Sequence, residues 1–178
     1  MESPPPELIS ARLVLRRPSP HDVQTRLSLG RHKEIVEAYG GGFDPTVAFT
    51  RTHAESAVRF IERQDYAWVI DAGGFIGHIR FQNLVQADKR VALAIGIDDP
   101  SALGKGYGTE AMKLALAYAF RCGLHRVSLR VLATNSRAIA CYRKCGFTEE
   151  GRERQAALVA GQWHDDIIMG LLDTEFAP

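Results

Sequence analysis

Three glycines within five residues, Gly104, Gly106 and Gly108, stand between a run typical of a β-strand and a pattern typical of an α-helix. Apolar residues 91–97 precede them, and apolar side chains recur at helical spacing over residues 106–122. A helix N-terminus presents unpaired N–H groups and the positive end of the helix dipole, and glycines let such amides close around phosphate oxygens. The segment therefore predicts a phosphate-binding loop that connects a strand to a helix.

Two familiar phosphate loops do not fit this spacing. A Walker A loop needs Ser or Thr directly after Gly-Lys, but Gly106 follows Lys105. A dinucleotide fingerprint needs glycine where Thr109 stands. Neither a nucleoside triphosphate nor NAD is favoured, and for the loop taken alone a tight turn without a ligand stays open.

The strand before the loop has one nearly bare face. Bulky side chains alternate with the small residues Ala92, Ala94 and Gly96, and alternate residues of a strand point to opposite faces. A ligand could therefore approach the backbone closely on the small-residue side.

A second pattern lies downstream, on a predicted helix over residues 135–145. Asn135 is a typical N-cap, and Ala138 and Tyr142 follow it three and seven residues later, on one stripe of the helix. A capping asparagine and a core tyrosine need no ligand. This pattern alone leaves a structural and a binding role open.

The remaining pattern predicts one α/β or α+β domain. Strands and helices mix along the 178 residues, a hairpin is expected around residues 71–74, and Thr52 with Glu55 has the spacing of a capping box. We expect a disordered, proline-rich tail over residues 1–7 and a single domain over residues 8–178.

Composition excludes several classes of function. The net charge is +1, so no overall field draws the chain to nucleic acid or to anionic lipid. No apolar run approaches the roughly 20 residues of a spanning helix, and three cysteines do not make a disulfide framework. We expect a cytoplasmic protein without a membrane or nucleic-acid partner.

No metal site is predicted. His164 and Asp165 are adjacent on a predicted strand, so their side chains point to opposite faces and cannot easily bind one metal ion together.

Taken together, the two patterns resemble a known family. Residues 103–111 and 135–147 look like the acetyl-CoA loop and the following cofactor helix of the GNAT N-acetyltransferases. Residues 12–16 and 161–165 resemble the branch of ribosomal-protein alanine and spermidine acetyltransferases. The resemblance implies a mixed, mostly antiparallel twisted sheet of about seven strands with helices on both faces. Leu103 departs from the Gln or Arg usual in the family, so one side-chain contact to phosphate is in doubt.

The resemblance also implies an activity, which is direct transfer of an acetyl group from acetyl-CoA to an amine. Main-chain groups of the bare strand would pair with the pantetheine arm, at Ile95, Gly96 and Ile97. The glycine loop would hold the pyrophosphate with its amides, at Leu103, Gly104, Lys105, Gly106, Tyr107, Gly108 and Thr109. On the downstream helix, Asn135 and Ala138 would contact the pantetheine, and Tyr142 would donate a proton to the leaving thiolate.

The acid is easier to predict than the base. A phenol pKa of about 10 lies near that of a thiol, about 8.5, so proton donation by Tyr142 is chemically reasonable. Candidates for the base are Asp98, His78, and the early-helix residues Glu34 and Glu37. A surface charge, or for His78 a satisfied buried imidazole, is the alternative for each, and a water relay would also serve.

Three hypotheses about function remain at this stage. The first is an amine N-acetyltransferase acting on a protein N-terminus or a small-molecule amine, and His78 with Arg80 favours an acceptor that carries a carboxylate, or a peptide. The second is a non-catalytic acyl-CoA-binding sensor on the same fold. The third is a phosphate-ligand module unrelated to CoA. A homodimer is common in the family that the chain resembles. Separately, Cys141 and Cys145 are expected to lie in the core.

Overall fold

The computed structural model describes Met1 and residues 3–177, in which it contains eight strands and five α-helices. Glu2 and Pro178, which belong to the expected tail and domain, lie outside the described residues. The strands are β1 (Leu8–Ile9), β2 (Val14–Arg16), β3 (Tyr66–Asp71), β4 (Phe75–Val85), β5 (Arg90–Ile97), β6 (Arg126–Leu132), β7 (Thr148–Val159) and β8 (Gln162–Leu172). The helices are α1 (His21–Leu29), α2 (Lys33–Ala38), α3 (Arg51–Glu62), α4 (Tyr107–Arg121) and α5 (Ser136–Lys144).

All eight strands form one mixed sheet, in the order β1-β2-β3-β4-β5-β6-β8-β7. Its neighbours pair antiparallel except β5 and β6, which run parallel. The antiparallel hairpin around residues 71–74 joins β3 to β4, as the sequence predicts. The sheet therefore confirms the predicted class, with one strand more than the expected seven because the two-residue β1 pairs with β2.

Helices cover both faces of the sheet. Successive side chains of β3 pack against helices on opposite faces. Trp68 faces α4, where its ring meets that of Tyr118 edge-on with centroids 5.7 Å apart. The neighbouring Val69 belongs to a second cluster of buried side chains with Ile61 of α3. Since successive strand residues point to opposite faces, the two clusters lie on opposite sides of one sheet.

The predicted capping box at Thr52 and Glu55 is wrong by two residues. Helix α3 begins at Arg51, and Thr50 caps it by accepting from the His53 amide at 3.4 Å while its own N–H donates to His53 Nδ1 at 3.1 Å. An imidazole nitrogen can accept that bond in place of the usual carboxylate. Glu55 instead accepts a 2.9 Å bond from Arg51.

A buried ion pair fixes α1 to the sheet. Asp22 is fully buried, and both of its oxygens accept from the Arg16 guanidinium, at 2.7 and 2.8 Å. The same guanidinium donates from Nε to Asp71 at 2.6 Å. Strand β2, the end of β3 and the first turn of α1 are therefore tied through one cation.

Pro5 and Pro6, which lie within the expected disordered tail, pack against the domain. Pro5 is buried, and the carbonyl of Pro6 accepts a 2.8 Å bond from Trp68 Nε1. A buried indole N–H needs an acceptor, and here the proline-rich segment supplies it.

Candidate active site

Strands β5 and β6 separate after only three residue pairs. Arg90, Val91 and Ala92 pair with Arg126, Val127 and Ser128. Both strands then continue, and within the described residues no further pairing joins them, although β5 stays paired with β4 as far as Ile97. Because the three pairs lie at the start of both parallel strands, the unpaired parts lie towards their carboxyl ends. Main-chain groups of residues 93–97 on that side therefore face open space.

A cleft of about 1150 Å³ occupies this gap. Strands β4, β5 and β6, the glycine loop and α5 line it, and the β7–β8 hairpin adds a further wall. Most of the predicted site residues line the cleft, namely His78, Ile95, Gly96, Ile97, Leu103, Gly104, Gly106, Gly108, Thr109, Asn135, Ala138 and Tyr142. Lys105, Tyr107 and Asp98 do not form part of the lining.

The glycine loop has the backbone geometry that only glycine adopts readily. Gly104 and Gly106 have φ values of 74° and 85°, and Gly106 is the residue from which α4 begins. A Cβ at Gly108 would meet Cys141 Sγ only at 3.8 Å, so this glycine leaves room on the cleft side of the first helical turn. The loop thus presents the N-terminus of a 15-residue helix to the cleft.

Arg12 supports the loop from outside the cleft. Its Nη1 donates to the Lys105 carbonyl at 3.1 Å, its Nε donates to Glu110 at 2.7 Å, and its guanidinium lies 5.0 Å from the Tyr107 ring centroid. Lys105 and Tyr107 can therefore offer the cleft main-chain groups, while Arg12 engages their outer side.

Asn135 fulfils the predicted capping role. Its Oδ1 accepts from the Ala138 amide at 3.0 Å, and its Nδ2 donates to the carbonyl of Ala38 at 3.1 Å. The side chain thereby links α5 to the end of α2. A ligand contact by Asn135 could use the second N–H of the amide, the second lone pair of Oδ1 or the main chain.

Tyr142 lies almost wholly inside the protein at the cleft wall. Its side chain is 8% exposed, and its ring packs 6.2 Å from that of Phe147. Burial raises the pKa of the phenol, and the neighbouring Cys141 and Cys145 add to that shift. The hydroxyl therefore stays protonated at neutral pH, although its pKa lies further from that of a thiol than the sequence argument assumes.

The two cysteines of α5 differ in their surroundings. Cys145 is buried, as predicted, whereas Cys141 lines the cleft with its Sγ 3.2 Å from Thr109 Oγ1. A hydrogen bond from Cys145, opposed by burial and aided by Thr109 and Lys144, lowers the pKa of the Cys141 thiol to about 7. The same interaction raises the pKa of Cys145.

His78 faces the bare side of β5. It is paired directly with Gly96, and its Nδ1 lies 3.6 Å from Asp98 Oδ2. Arg80 Nη1 lies 3.3 Å from His78 Nε2. Since a guanidinium can only donate, Nε2 accepts and the ring proton sits on Nδ1, towards Asp98. The geometry is that of a neutral imidazole oriented by a carboxylate.

Asp98 is suited to orient the His78 imidazole rather than to accept a proton itself. Burial acts to raise its pKa, but the nearby imidazole of His78 and the positive charge of Arg26 outweigh burial and hold the pKa below the ordinary value. Arg26 Nη2 lies 3.7 Å from the carboxylate. A carboxylate that is so stabilised in its ionised form is a weak base.

The other two base candidates do not line the cleft. Glu34 accepts a 2.6 Å bond from Arg137, and Glu37 lies 3.9 Å from Lys33. Both border a separate, smaller cavity of about 470 Å³. Their pairing on the surface agrees with the alternative of a solvated charge.

Tyr39 is a cleft residue that the sequence argument missed. Its hydroxyl donates to the carbonyl of Ile97 at 3.3 Å, and a Cβ at Gly96 would lie 2.9 Å from that hydroxyl. In the sequence, the small Gly96 indicates that some group approaches the strand at this position. The structure shows that this group includes the Tyr39 hydroxyl. Tyr39 is 58 residues away along the chain, so only the fold identifies it.

No helix of the described residues is long and apolar enough to span a bilayer. No group of three or more His, Cys, Asp and Glu side chains gathers among these residues in an arrangement that could hold a metal ion.

Comparison with known proteins identifies relatives of this chain. The family model for the acetyltransferase (GNAT) domain matches residues 12–148. The spermidine N(1)-acetyltransferase of Escherichia coli K12 is 30% identical over 125 residues, which are 70% of this chain and 63% of that protein. The [Ribosomal protein uS5]-alanine N-acetyltransferase of the same strain is 27% identical over 109 residues, 61% of this chain and 56% of that protein. The chain thus spans between about half and two thirds of these relatives' length.

Solved structures share the fold over nearly the full length. The Vibrio cholerae spermidine N-acetyltransferase, solved in complex with CoA and spermine, superposes with a TM-score of 0.75 at 23% identity. The alignment covers 93% of this chain and 98% of that one. A GNAT-family acetyltransferase from Bacillus anthracis gives a TM-score of 0.79 at 19% identity, with 96% and 100% covered.

Proposed function

Because this chain belongs to the GNAT acetyltransferase family, we propose that it transfers the acetyl group of acetyl-CoA to a primary amine. The observation that carries the proposal is the gap between β5 and β6, which ends at the N-terminus of α4. An extended amide-bearing arm and a pyrophosphate, which CoA joins in one molecule, would find main-chain partners in adjacent parts of one cleft.

The chain's own groups can be assigned to the parts of acetyl-CoA. Main-chain groups of Ile95, Gly96 and Ile97 are proposed to pair with the pantetheine arm, in place of the strand pairing that β6 does not provide. Amides of residues 103–109 are proposed to bind the pyrophosphate, aided by the dipole of α4. Asn135 and Ala138 would bound the arm from α5.

The transfer itself requires one bond to form and one to break. The amine nitrogen attacks the thioester carbon, the C–N bond forms, the C–S bond breaks, and the amine loses a proton while the thiolate gains one. Preorganised N–H donors of the open β5 edge would stabilise the oxyanion that develops on the carbonyl.

We assign the base to His78 and a positioning role to Asp98. The imidazole carries its proton on Nδ1, so Nε2 has the lone pair that can accept a proton from the amine. Asp98 lies outside the cleft lining and acts through His78 by fixing that tautomer, 3.6 Å from Nδ1. Among the base candidates that the sequence leaves open, this proposal favours His78 over Asp98.

We assign the acid to Tyr142. Burial raises the pKa of the phenol and keeps its proton available at the cleft wall. A protonated hydroxyl can hydrogen-bond the sulfur as negative charge develops and then transfer the proton to the thiolate.

Two measurements test the proposed function. Calorimetric titration with CoA, ATP and NAD should show binding of CoA alone, and binding of a nucleotide without CoA would contradict it. A screen of amino acids, peptides, polyamines and aminoglycosides should then show CoA release that depends on an amine. Tight CoA binding without transfer to any amine would favour the sensor on the same fold.

A further inference from the structure

One half-buried arginine in the cleft has no carboxylate partner among the described residues. The contacts of Arg80 are His78 Nε2 and Gln82 Oε1, each at 3.3 Å, and the face of the Phe60 ring, 5.0 Å from its centroid. Two other arginines that line the cleft are paired with acids: Arg130 with Asp166 at 2.9 Å, and Arg137 with Glu34 at 2.6 Å.

An unpaired guanidinium in this position is costly to the free protein. Burial lowers the pKa of Arg80, yet a guanidinium keeps its proton in proteins. A buried charge is stable when an opposite charge or strong acceptors meet it. Neutral Gln82 and His78 meet that need only in part, so an anionic ligand has a ready site here.

Arg80 lies on the same face of β4 as His78, the proposed base. His78 lies opposite Gly96 and Arg80 lies opposite Ala94, on the face of β4 and β5 that points away from α4. Two residues along a strand separate their Cα atoms by roughly 7 Å. Tyr39 and His78 fill the space over Gly96. His78, Arg80 and the small Ala94 all line the cleft, so one small molecule in the cleft can reach both.

We propose that Arg80 binds a carboxylate of the acceptor, so that the substrate is a small primary amine that also carries a carboxylate, such as an amino acid or a short peptide. The inference rests on the proposed acetyl transfer. The amine would lie at His78 and the carboxylate at Arg80, one side-chain repeat further along β4. A guanidinium and a carboxylate form the charge-assisted, two-pronged contact that favours this pairing.

The same arrangement disfavours a polyamine. A second ammonium group on the acceptor would face Arg80, and Asp166, which lines the cleft, is already paired with Arg130. Recognition of the carboxylate would also help the base. Arg80 Nη1 now donates to His78 Nε2, and a carboxylate that draws the guanidinium towards itself leaves Nε2 free to accept the proton of the amine.

The test compares acceptors with and without a carboxylate. Acetyl transfer is measured for alanine, β-alanine and dialanine, each against its own carboxamide, with spermidine as the polyamine. We expect kcat/KM for each free acid to exceed that of its amide roughly tenfold or more. Arg80→Met should remove this preference by raising KM for the acids, while the KM for acetyl-CoA stays unchanged. Arg80→Lys should restore part of the preference, because it returns the charge without the fork of donors.

A matched control separates a specific contact from general charge loss. Arg130→Gln removes a cleft arginine that is already paired with Glu153 and Asp166, and it should leave the acid-to-amide ratio unchanged. Calorimetry with CoA and thermal unfolding show whether each variant is folded. Transfer to amides or spermidine at least as fast as to the acids, or a preference that survives Arg80→Met, overturns this inference alone. Absence of transfer to any amine overturns the proposed function, and this inference with it.

Discussion

The imidazole of His78 and the carboxylate of Asp98 approach across the ends of β4 and β5, with Nδ1 3.6 Å from Oδ2. The other ring nitrogen faces the cleft side, where Arg80 donates to it. Two neighbouring strands therefore fix both the orientation and the tautomer of one side chain, before any substrate binds.

His78→Gln is expected to lower kcat roughly 100-fold or more, because general base catalysis is lost. Asp98→Asn should cause a smaller loss, since it disturbs only the tautomer and orientation of His78. Neither variant should change the affinity for CoA by calorimetry. If Asp98→Asn proved the more severe of the two, Asp98 rather than His78 would be the proton acceptor.

Tyr142→Phe should keep the fold and CoA binding but lower kcat roughly 100- to 10,000-fold at neutral pH, the range for loss of a general acid. Tyr39→Phe removes a second phenol at the cleft, whose bond to the Ile97 carbonyl is structural, and should cost less than tenfold. Steady-state kinetics on both variants decide which phenol donates the proton. Full turnover by Tyr142→Phe would exclude Tyr142 from that role.

Gly106→Val should weaken CoA binding by at least roughly tenfold, because φ of 85° disfavours a β-branched residue and distorts the loop. Gly123→Val is the matched control: it has φ of 82° at the other end of α4, with nothing within 4 Å of a new Cβ. Both variants carry similar backbone strain, so thermal unfolding should respond alike. Only Gly106→Val should lose CoA affinity in calorimetry, and equal affinities in the two variants would place the pyrophosphate elsewhere.

Cys141 should react with iodoacetamide, with a rate that rises through about pH 7, where the hydrogen bond from Cys145 brings its pKa. Because its thiol lines the cleft, saturating CoA should slow this reaction, as mass spectrometry of the labelled peptide would show. The exposed Cys122 is an internal reference that CoA should not protect. Equal labelling of Cys141 with and without CoA would contradict the proposed position of the ligand.

Asp22→Asn should lower the free energy of unfolding by roughly 3 kcal/mol, since it leaves Arg16 without its buried partner. Burial opposes ionisation of Asp22, but the bonds from Arg16 and Ser19 outweigh it and lower the pKa below 3.8 in the folded state. The stabilisation is therefore complete above pH 3.8 and is lost as pH falls through the lower folded value.

Urea unfolding of wild type and Asp22→Asn at neutral pH and in acid measures this difference, which should shrink as the pH falls below about 4. Asp88→Asn serves as the control, because Asp88 and its partner Arg90 are both more than half exposed, and it should change stability by less than roughly 0.5 kcal/mol. A difference for Asp22→Asn that grew in acid would reverse the assigned sign.

The parts of the fold that sequence predicts well depend on local patterns. Helix α5 follows from the cap at Asn135 and the stop at Gly146, and the loop before α4 follows from glycines whose positive φ values only glycine adopts freely. The capping box of α3 was misplaced, because an imidazole at His53 fills the position that the usual pattern assigns to Glu or Gln.

The parts that sequence does not predict depend on distant contacts. Tyr39 reaches Ile97 only because α2 packs over the end of β5, and no periodicity indicates this. Likewise, the sequence suggests that Arg80 is near His78, but whether a carboxylate neutralises it depends on which acids the fold brings close. The pairing of charged side chains depends on the folded chain, whereas the spacing of apolar residues can be read from the sequence.

The short seam between β5 and β6 has a mechanical consequence. Strands β1 to β5 form one half of the sheet and β6, β8 and β7 the other, and three residue pairs join the halves. A ligand that forms hydrogen bonds along the unpaired part of β5 and β6 would connect the two halves of the sheet. Its binding should therefore slow amide exchange far from the cleft, along the outer strands of both halves, and couple their rigidity.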